Sequence, residues 1–346
     1  MSAQSPIAAL KSKILLYLPL IKSLQTGLLL ATGIAGYLSA HTTVHVPTLT
    51  GMSLSLFLAI SGSTIMNMWY DHDIDSKMKR THKRPAASGA LSRREVFWVG
   101  MVISVIGIGW SLALAPLYGM VVFAGWFFDV VVYTLWLKRV TCWSIVWGGI
   151  SGAMPILSGR VLAVNEIDLI GVLLALAILF WIPTHTLTFS LKFRDDYTNA
   201  GVPTFPSTYG DAFTRATIAI SSILAALTIG WASILIGLSA GYLRPIAVLT
   251  AGLLLLAFAT FRVQSDRVNF SLFRYASLYM LSSMIILALQ DKSPDAPGQI
   301  RLSFATTPRA AAWCASRHSW CRARSRASTA RARSGQRRSR TRSLSA

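Results

Sequence analysis

Charge is what this chain has least of. Only 13% of its 346 residues are Asp, Glu, Lys or Arg, against about 25% in an ordinary soluble domain. A water-facing surface on a chain this long needs more, which argues against a soluble enzyme. A hydrophobic content of 53% rules out a disordered chain. Cysteine is nearly absent as well. Cys142, Cys314 and Cys321 offer neither a metal spacing nor a disulfide framework. Acids are the scarcer of the charged residues, 13 Asp+Glu against 33 Lys+Arg. Residues 301–346 hold twelve Arg and no acid, so most of the net charge of +20 sits there and the first 300 residues carry only +8. No nucleic acid is therefore expected as a partner of the body.

What the chain does have is apolar runs. Nine segments, 20–40, 48–70, 95–115, 117–136, 141–162, 168–190, 213–238, 244–262 and 274–290, are each long enough for the roughly 20 helical residues that cross a bilayer core. Only helices satisfy their own backbone in lipid without closing a barrel. The expected fold is thus all-α and polytopic, nine transmembrane helices around a central cavity. The third and fourth segments, split near Pro116, should form a tight hairpin. Three regions are expected: an N-terminal segment 1–13, a transmembrane domain 14–290 and a tail 291–346. The tail, built mostly of Arg, Ser and Ala, has nothing to pack a core with and reads as a disordered appendage or a shifted reading frame.

Basic residues set the orientation. The links after the even-numbered helices, with Lys11, Lys13 and Lys22 at the start, hold eighteen Lys/Arg against three on the other side (Arg160, Arg244 and Lys292). The positive-inside rule then places the N-terminus and the even links in the cytoplasm. No cleaved signal peptide is expected, and no Arg precedes Arg80. Together these suggest a multi-pass protein of a prokaryotic plasma membrane, surrounded by membrane lipid.

The scarce acids are not scattered. Asn67, Asp71 and Asp75 stand at i, i+4 and i+8 where the second segment ends, one above another on a helical face. Three oxygen ligands in a row make half a site for a hard cation. Asp73 falls off this face and is expected to be solvated or structural. Five cations follow in eight positions, Lys77, Lys79, Arg80, Lys83 and Arg84. Carboxylates beside cations suit a metal-bound polyphosphate, since Mg²⁺ prefers one or two carboxylates with phosphate oxygens filling its other positions, and Lys or Arg hold the remainder. Asp195 and Asp196, flanked by Lys192 and Arg194, close the sixth segment on the same side. The two clusters are therefore expected to face one another across a di-magnesium diphosphate. An alternative for the basic residues is that they serve topology only.

The run Asn67-xxx-Asp71-xxx-Asp75, then Met78-x-Arg80-Thr81-xx-Arg84-Pro85, resembles the signature of the UbiA superfamily of intramembrane prenyltransferases. Within it, the likeness is greatest to the branch that farnesylates protoheme IX. Supporting stretches are Tyr133–Arg139, Gly148–Pro155 and Asp196-Tyr197-xx-Ala200-Gly201-Val202-Pro203. The branch usually has Arg where His72 stands, and Pro-Pro-His-Phe-Trp where this chain reads Pro183-Thr184-His185-Thr186-Leu187. The resemblance covers about residues 14–290. It implies Mg²⁺ held by Asn67, Asp71, Asp75, Asp195 and Asp196, of which Asn67, Asp71, Asp75 and Asp196 are catalytic. It further implies that farnesyl diphosphate is held by Lys79, Arg80, Lys83, Arg84, Lys192 and Arg194, and that protoheme IX lies near His185 and Tyr133. For His185, a hydrogen bond to a neighbouring helix is the plain structural alternative. Other readings are prenyl transfer to a quinone precursor or glycerol phosphate lipid, or an ion or polyanion transporter.

Overall fold

The computed structural model describes residues 16–40 and 44–289, and among them there is no strand. The helices are α1 (Ser23–Leu38), α2 (Val46–Tyr70), α3 (His72–Lys77), α4 (Arg93–Leu114), α5 (Pro116–Phe127), α6 (Ser144–Val164), α7 (Leu169–Lys192), α8 (Arg194–Asn199), α9 (Phe205–Ile236), α10 (Ala240–Arg262) and α11 (Asp266–Leu289). α3 and α8 are single short turns. Segments 1–13 and 291–346, with Cys314 and Cys321, lie outside the described residues.

Eight helices are long and apolar enough to cross a membrane, with α5 counted through to Arg139. α1 has only 16 residues, but the 3₁₀ turn Leu18–Ile21 leads into it. At about 1.5 Å per residue α1 alone spans about 24 Å, and Lys22, with a φ of 45°, turns the chain between the two pieces. The nine expected segments are thus all helical, the first in two pieces. The expected hairpin is tighter than a loop. Ala115 alone is extended between α4 and α5, with Pro116 starting the next helix, where its missing N–H leaves no carbonyl unserved. α9 begins well before the expected 213, capped by Thr204, and bends at Gly210, whose φ of 81° suits glycine.

Helix association in lipid rests on close contact, because lipid tails are as apolar as side chains. α1 lies along α6, and glycines let the two backbones meet. A Cβ on Gly36 would overlap the Ile156 carbonyl, and one on Gly159 the Gly33 carbonyl. α2 meets α4 in the same way, Gly62 against Ser104 and Gly107 against Ala59. At the end of α6, Arg160 is 6% exposed. It donates from Nε and Nη2 to the Asp168 carboxylate (2.7–3.0 Å) and from Nη1 to Ser39 Oγ (2.9 Å) and carbonyl O (3.0 Å). Asp168 in turn caps α7 by accepting from the Gly171 N–H at 2.8 Å. The Arg160 charge therefore ties α1, α6 and α7 together.

The fifth helix changes its winding. After Phe127 it becomes a π-helix, Phe128–Trp136, and then the 3₁₀ turn Leu137–Arg139. A π stretch of nine residues is rare and turns side chains away from where a continuous α-helix would place them. This stretch faces α2 and α6.

If the glycine contacts set the α1–α6 distance, Gly36→Val should lower unfolding stability by about 1–3 kcal/mol, as overpacking does. Thermal unfolding in detergent reads this, with Gly27→Val, at a position where a Cβ meets nothing within 4 Å, as the neutral control.

Candidate active site

α2 breaks at Asp71, yet its ladder does not. The Asp71 N–H donates to the Asn67 carbonyl (2.9 Å) and the Asp75 N–H to the Asp71 carbonyl (2.8 Å). Asn67, Asp71 and Asp75 therefore keep helical spacing across the joint into α3. Asp71 is 4% and Asp75 6% exposed. Buried carboxylates require counter-charge, and each has one. Lys138 Nζ donates to Asp71 Oδ2. Arg84 Nη1 donates to Asp75 Oδ2 at 2.7 Å. Asp71 Oδ1 is buried without a hydrogen-bond partner among the described residues.

The π-helix supplies the facing wall. Asp129 Oδ2 accepts from Ser63 Oγ and from Asn67 Nδ2, the latter at 2.9 Å. Thr134 Oγ1 donates to Asn67 Oδ1 at 2.6 Å. Asn67 is thus clamped on both its amide atoms, and Ser63 extends its face one turn back. Lys138 lies 5.6 Å from the Tyr133 ring centre, so Tyr133 stands beside the Asp71 part of the row, and its ring packs against Gly148. Asp129 was missed in the reading of the sequence. Its signal was an acid inside an apolar span, an expensive placement that is usually functional.

Asp73, expected to be solvated or structural, is structural. Arg139 donates to both of its oxygens (2.8 and 2.7 Å) and to the Tyr70 carbonyl (3.1 Å). The Arg139 hydrogen bond holds the Asp73 carboxyl down to about 2, against an ordinary 3.8.

The second acidic motif reaches the same end of the molecule. Ile74 and Met78 pack against Tyr197, Ala200 and Val202, and Arg80 Nη2 donates to Tyr197 Oη at 3.4 Å. Asp195 is exposed and Asp196 half-buried, at the start of α8. No hydrogen bond or ion pair to either carboxylate is seen among the described residues. The expected cations divide. Arg80 sits 5.3 Å from the Phe193 ring centre and Arg84 is in the row. Lys79 and Lys83 are exposed. Arg194 turns away to pair with Asp211.

His185 is enclosed by aromatic rings rather than by the carboxylates. Its ring centre is 5.5 Å from Trp181, 5.0 Å from Phe189 and 5.2 Å from Phe273. Its buried Nδ1 has no hydrogen-bond partner among the described residues, so the interhelical hydrogen bond weighed above is not seen for that nitrogen. The aromatic neighbours missing next to it in sequence come from one helical turn either way and from α11.

No three His, Cys, Asp or Glu side chains close a metal cage among the described residues. The row is one-sided instead, with hard oxygen donors and one spare buried carboxylate oxygen. That donor set fits Mg²⁺, whose remaining positions go to water or phosphate.

Fold and site together define a membrane-embedded transferase, and residues 28–296 match the UbiA prenyltransferase family. The chain belongs to that family and is a multi-pass intramembrane prenyltransferase. It is similar to the protoheme IX farnesyltransferase of Pyrobaculum neutrophilum, at 34% identity over 275 residues covering 79% of this chain and 98% of the relative. It is also similar to that of Archaeoglobus fulgidus, at 41% over 208 residues covering 60% and 73%. Among solved structures, a digeranylgeranylglyceryl phosphate synthase shares the fold with a TM-score of 0.69 at 17% identity, covering 81% of this chain and 99% of that one. A UbiA homolog from Archaeoglobus fulgidus bound to DMAPP and Mg²⁺ does so at 0.59 and 13%, covering 79% and 99%.

Two outcomes follow from this geometry. Asp129→Asn keeps the shape but removes the charged acceptor of Asn67 and Ser63, and should lower unfolding stability by about 1–3 kcal/mol; an unchanged melting temperature would show that Asp129 does not hold Asn67. The depressed Asp73 carboxyl contributes to stability above its unfolded pKa near 4, and the contribution fades as pH falls from there to about 2. Carboxyl infrared titration of wild type against Arg139→Gln should show the Asp73 signal moving up toward 4 in the variant.

Proposed function

We propose that the chain transfers a farnesyl group from farnesyl diphosphate to a vinyl group of protoheme IX, giving heme O, with residues 14–290 carrying the reaction. The observation that carries the diphosphate half is the buried Asp71–Asp75 row with Lys138 and Arg84 set against it. The acceptor half is supported by the protoheme IX farnesyltransferases to which the chain is similar, and by the aromatic setting of His185. The basic links, taken with the positive-inside rule, support a prokaryotic plasma membrane with a cytoplasmic N-terminus.

Asn67, Asp71 and Asp75 would hold one Mg²⁺ through the spare Asp71 oxygen, with Asp195 and Asp196 offering the second set of ligands. The UbiA homologs bound to Mg²⁺ and to DMAPP or GPP support a metal-dependent reaction on this fold. When bound, the metal neutralises the diphosphate and makes it a better leaving group. Lys138 and Arg84 pair with the carboxylates of the row, and with Arg80 from the adjoining loop they are the cations placed to donate to phosphate oxygens and stabilise the leaving group.

The chemistry deeper in the bundle needs no covalent enzyme intermediate. The allylic C–O bond breaks and diphosphate departs with its electron pair. The vinyl π electrons form the new C–C bond to the allylic carbon. Water then adds to the cation left on the porphyrin substituent and loses a proton, giving a hydroxyethylfarnesyl group. Tyr133, beside Lys138, offers a π face to the positive charge that develops there, and the apolar helices keep water from the allylic cation.

Asp71→Asn and Asp75→Asn should each lower turnover by a hundredfold or more, about 2.7 kcal/mol of barrier, and should lower the melting temperature of a still folded protein, since each leaves Lys138 or Arg84 without its counter-charge. Product mass after incubating purified protein with Mg²⁺, farnesyl diphosphate and protoheme reads both. Near-normal turnover in a folded variant would remove that carboxylate from the site, and wild type that leaves protoheme unchanged would overturn the acceptor.

A further inference from the structure

Of the cations at the polar end, Lys138, Arg84, Arg139, Arg194 and Arg215 each pair with a carboxylate. Others do not, and two of these, Lys192 and Arg274, share one aromatic ring. Lys192 Nζ lies 5.4 Å from the Phe193 ring centre and 5.5 Å from that of Phe270. Arg274 Cζ lies 4.7 Å from the same Phe270 ring. Both are exposed, and neither has an ion-pair partner among the described residues. Two cations thus share the Phe270 ring while their charges stay open to an anion from outside the chain.

Below them runs an aromatic seam between the antiparallel helices α7 and α11. Phe270 meets Phe273 at 5.4 Å, Phe273 meets Phe189 and His185, and His185 meets Trp181. Two polar ties fix the seam, Asn269 Nδ2 to Thr188 Oγ1 (3.2 Å) and Trp181 Nε1 to the Ala276 carbonyl (3.1 Å). From Lys192 to Trp181 it extends about 16 Å along α7 at 1.5 Å per residue. Its components are flat rings, an imidazole with an unused buried nitrogen, and two free cations at the water end. A flat aromatic acceptor with two carboxylates at one edge complements all three.

We infer that this seam seats the porphyrin acceptor, with Lys192 and Arg274 anchoring its two propionate carboxylates at the membrane surface. The inference rests on the heme reading of the site and adds what orients the acceptor. It also reassigns Lys192, expected above to hold diphosphate, to the acceptor. Charge-assisted hydrogen bonds to two propionates would fix the tetrapyrrole edge-on, its apolar vinyl edge inward, where the allylic carbon must arrive. The headgroup of an anionic lipid would also satisfy the cations, but it would use neither the stacked rings nor the His185 nitrogen.

The full chain in nanodiscs of neutral phosphatidylcholine, titrated with protoheme and with protoheme dimethyl ester, tests this through the Soret band. Wild type should bind the diacid at least about tenfold more tightly than the diester. Lys192→Gln and Arg274→Gln should each lose about tenfold for the diacid and nothing for the diester, and Arg274→Lys should recover part of the loss. Their affinity for a non-hydrolysable farnesyl diphosphate analogue should match wild type. Equal binding of diacid and diester by wild type would overturn the anchoring while leaving the heme reading intact. A loss confined to the diphosphate analogue would overturn it in favour of the donor site, and a loss confined to retention of added anionic lipid would overturn it in favour of a headgroup. Wild type that binds neither porphyrin yet still releases diphosphate would overturn both readings together.

Discussion

A carboxylate at the edge of a membrane must be neutralised on the spot, and the arrangement of this protein's polar end answers to that requirement. Asp71 and Asp75 are almost wholly buried, and an isolated charge in such a place costs several kcal/mol. Their counter-cations come from elsewhere in the chain, Lys138 from the end of the fifth helix and Arg84 from the loop after α3. Asp73, one step off the row, takes Arg139. Three acids within five residues, Asp71, Asp73 and Asp75, therefore bring the two polar loops into one register. Any shift of α2 against α5 would leave two or three buried charges unpaired.

The π-helix serves the same constraint. Asp129 carries a charge inside a span, and it is tolerable only because Ser63 and Asn67 both donate to it. The wide turn, Phe128–Trp136, places Asp129, Thr134 and Lys138 along the wall facing α2. Asn67 consequently does two things, holding Asp129 through its amide nitrogen and presenting its oxygen to Thr134. Clamped in this way, Asn67 is preorganised for the metal-binding role proposed for it, and little reorganisation would remain to oppose the reaction. The glycine contacts between α1 and α6 and between α2 and α4 keep the helices close enough for such short side chains to reach across.

The proposed donor and acceptor sites differ in how their cations are held. At Asp71 and Asp75, Lys138 and Arg84 pair with carboxylates, which suits a metal diphosphate. Lys192 and Arg274 rest on the Phe270 ring without an ion-pair partner among the described residues, which suits an anionic ligand. Between the two lies the Phe193 ring, touched by Arg80 from the first loop and by Lys192 from α7. The donor end and the proposed acceptor end thus adjoin within one residue of the α7–α8 junction.

Helix periodicity, bilayer thickness and the placement of scarce acids are local properties. For that reason the nine apolar segments, the Asn67–Asp71–Asp75 face and the family resemblance were all legible in the sequence alone. The Pro116 hairpin was legible too, since proline acts on its own backbone. What was not legible is which residue meets which across helices. Asp129 stood in plain view in segment 117–136, but only the tertiary structure gives it Asn67 and Ser63 as partners. The rings around His185 were sought among its sequence neighbours, whereas they stand at i−4, at i+4 and on α11. Arg194 and Lys192, two residues apart and read as equivalent, take opposite roles, one paired to Asp211 and the other over Phe270. Spacing along a helix is set by covalent geometry, but the choice of partner depends on how separate helices pack and on which buried charge has the greater need of compensation, and only the folded bundle decides both.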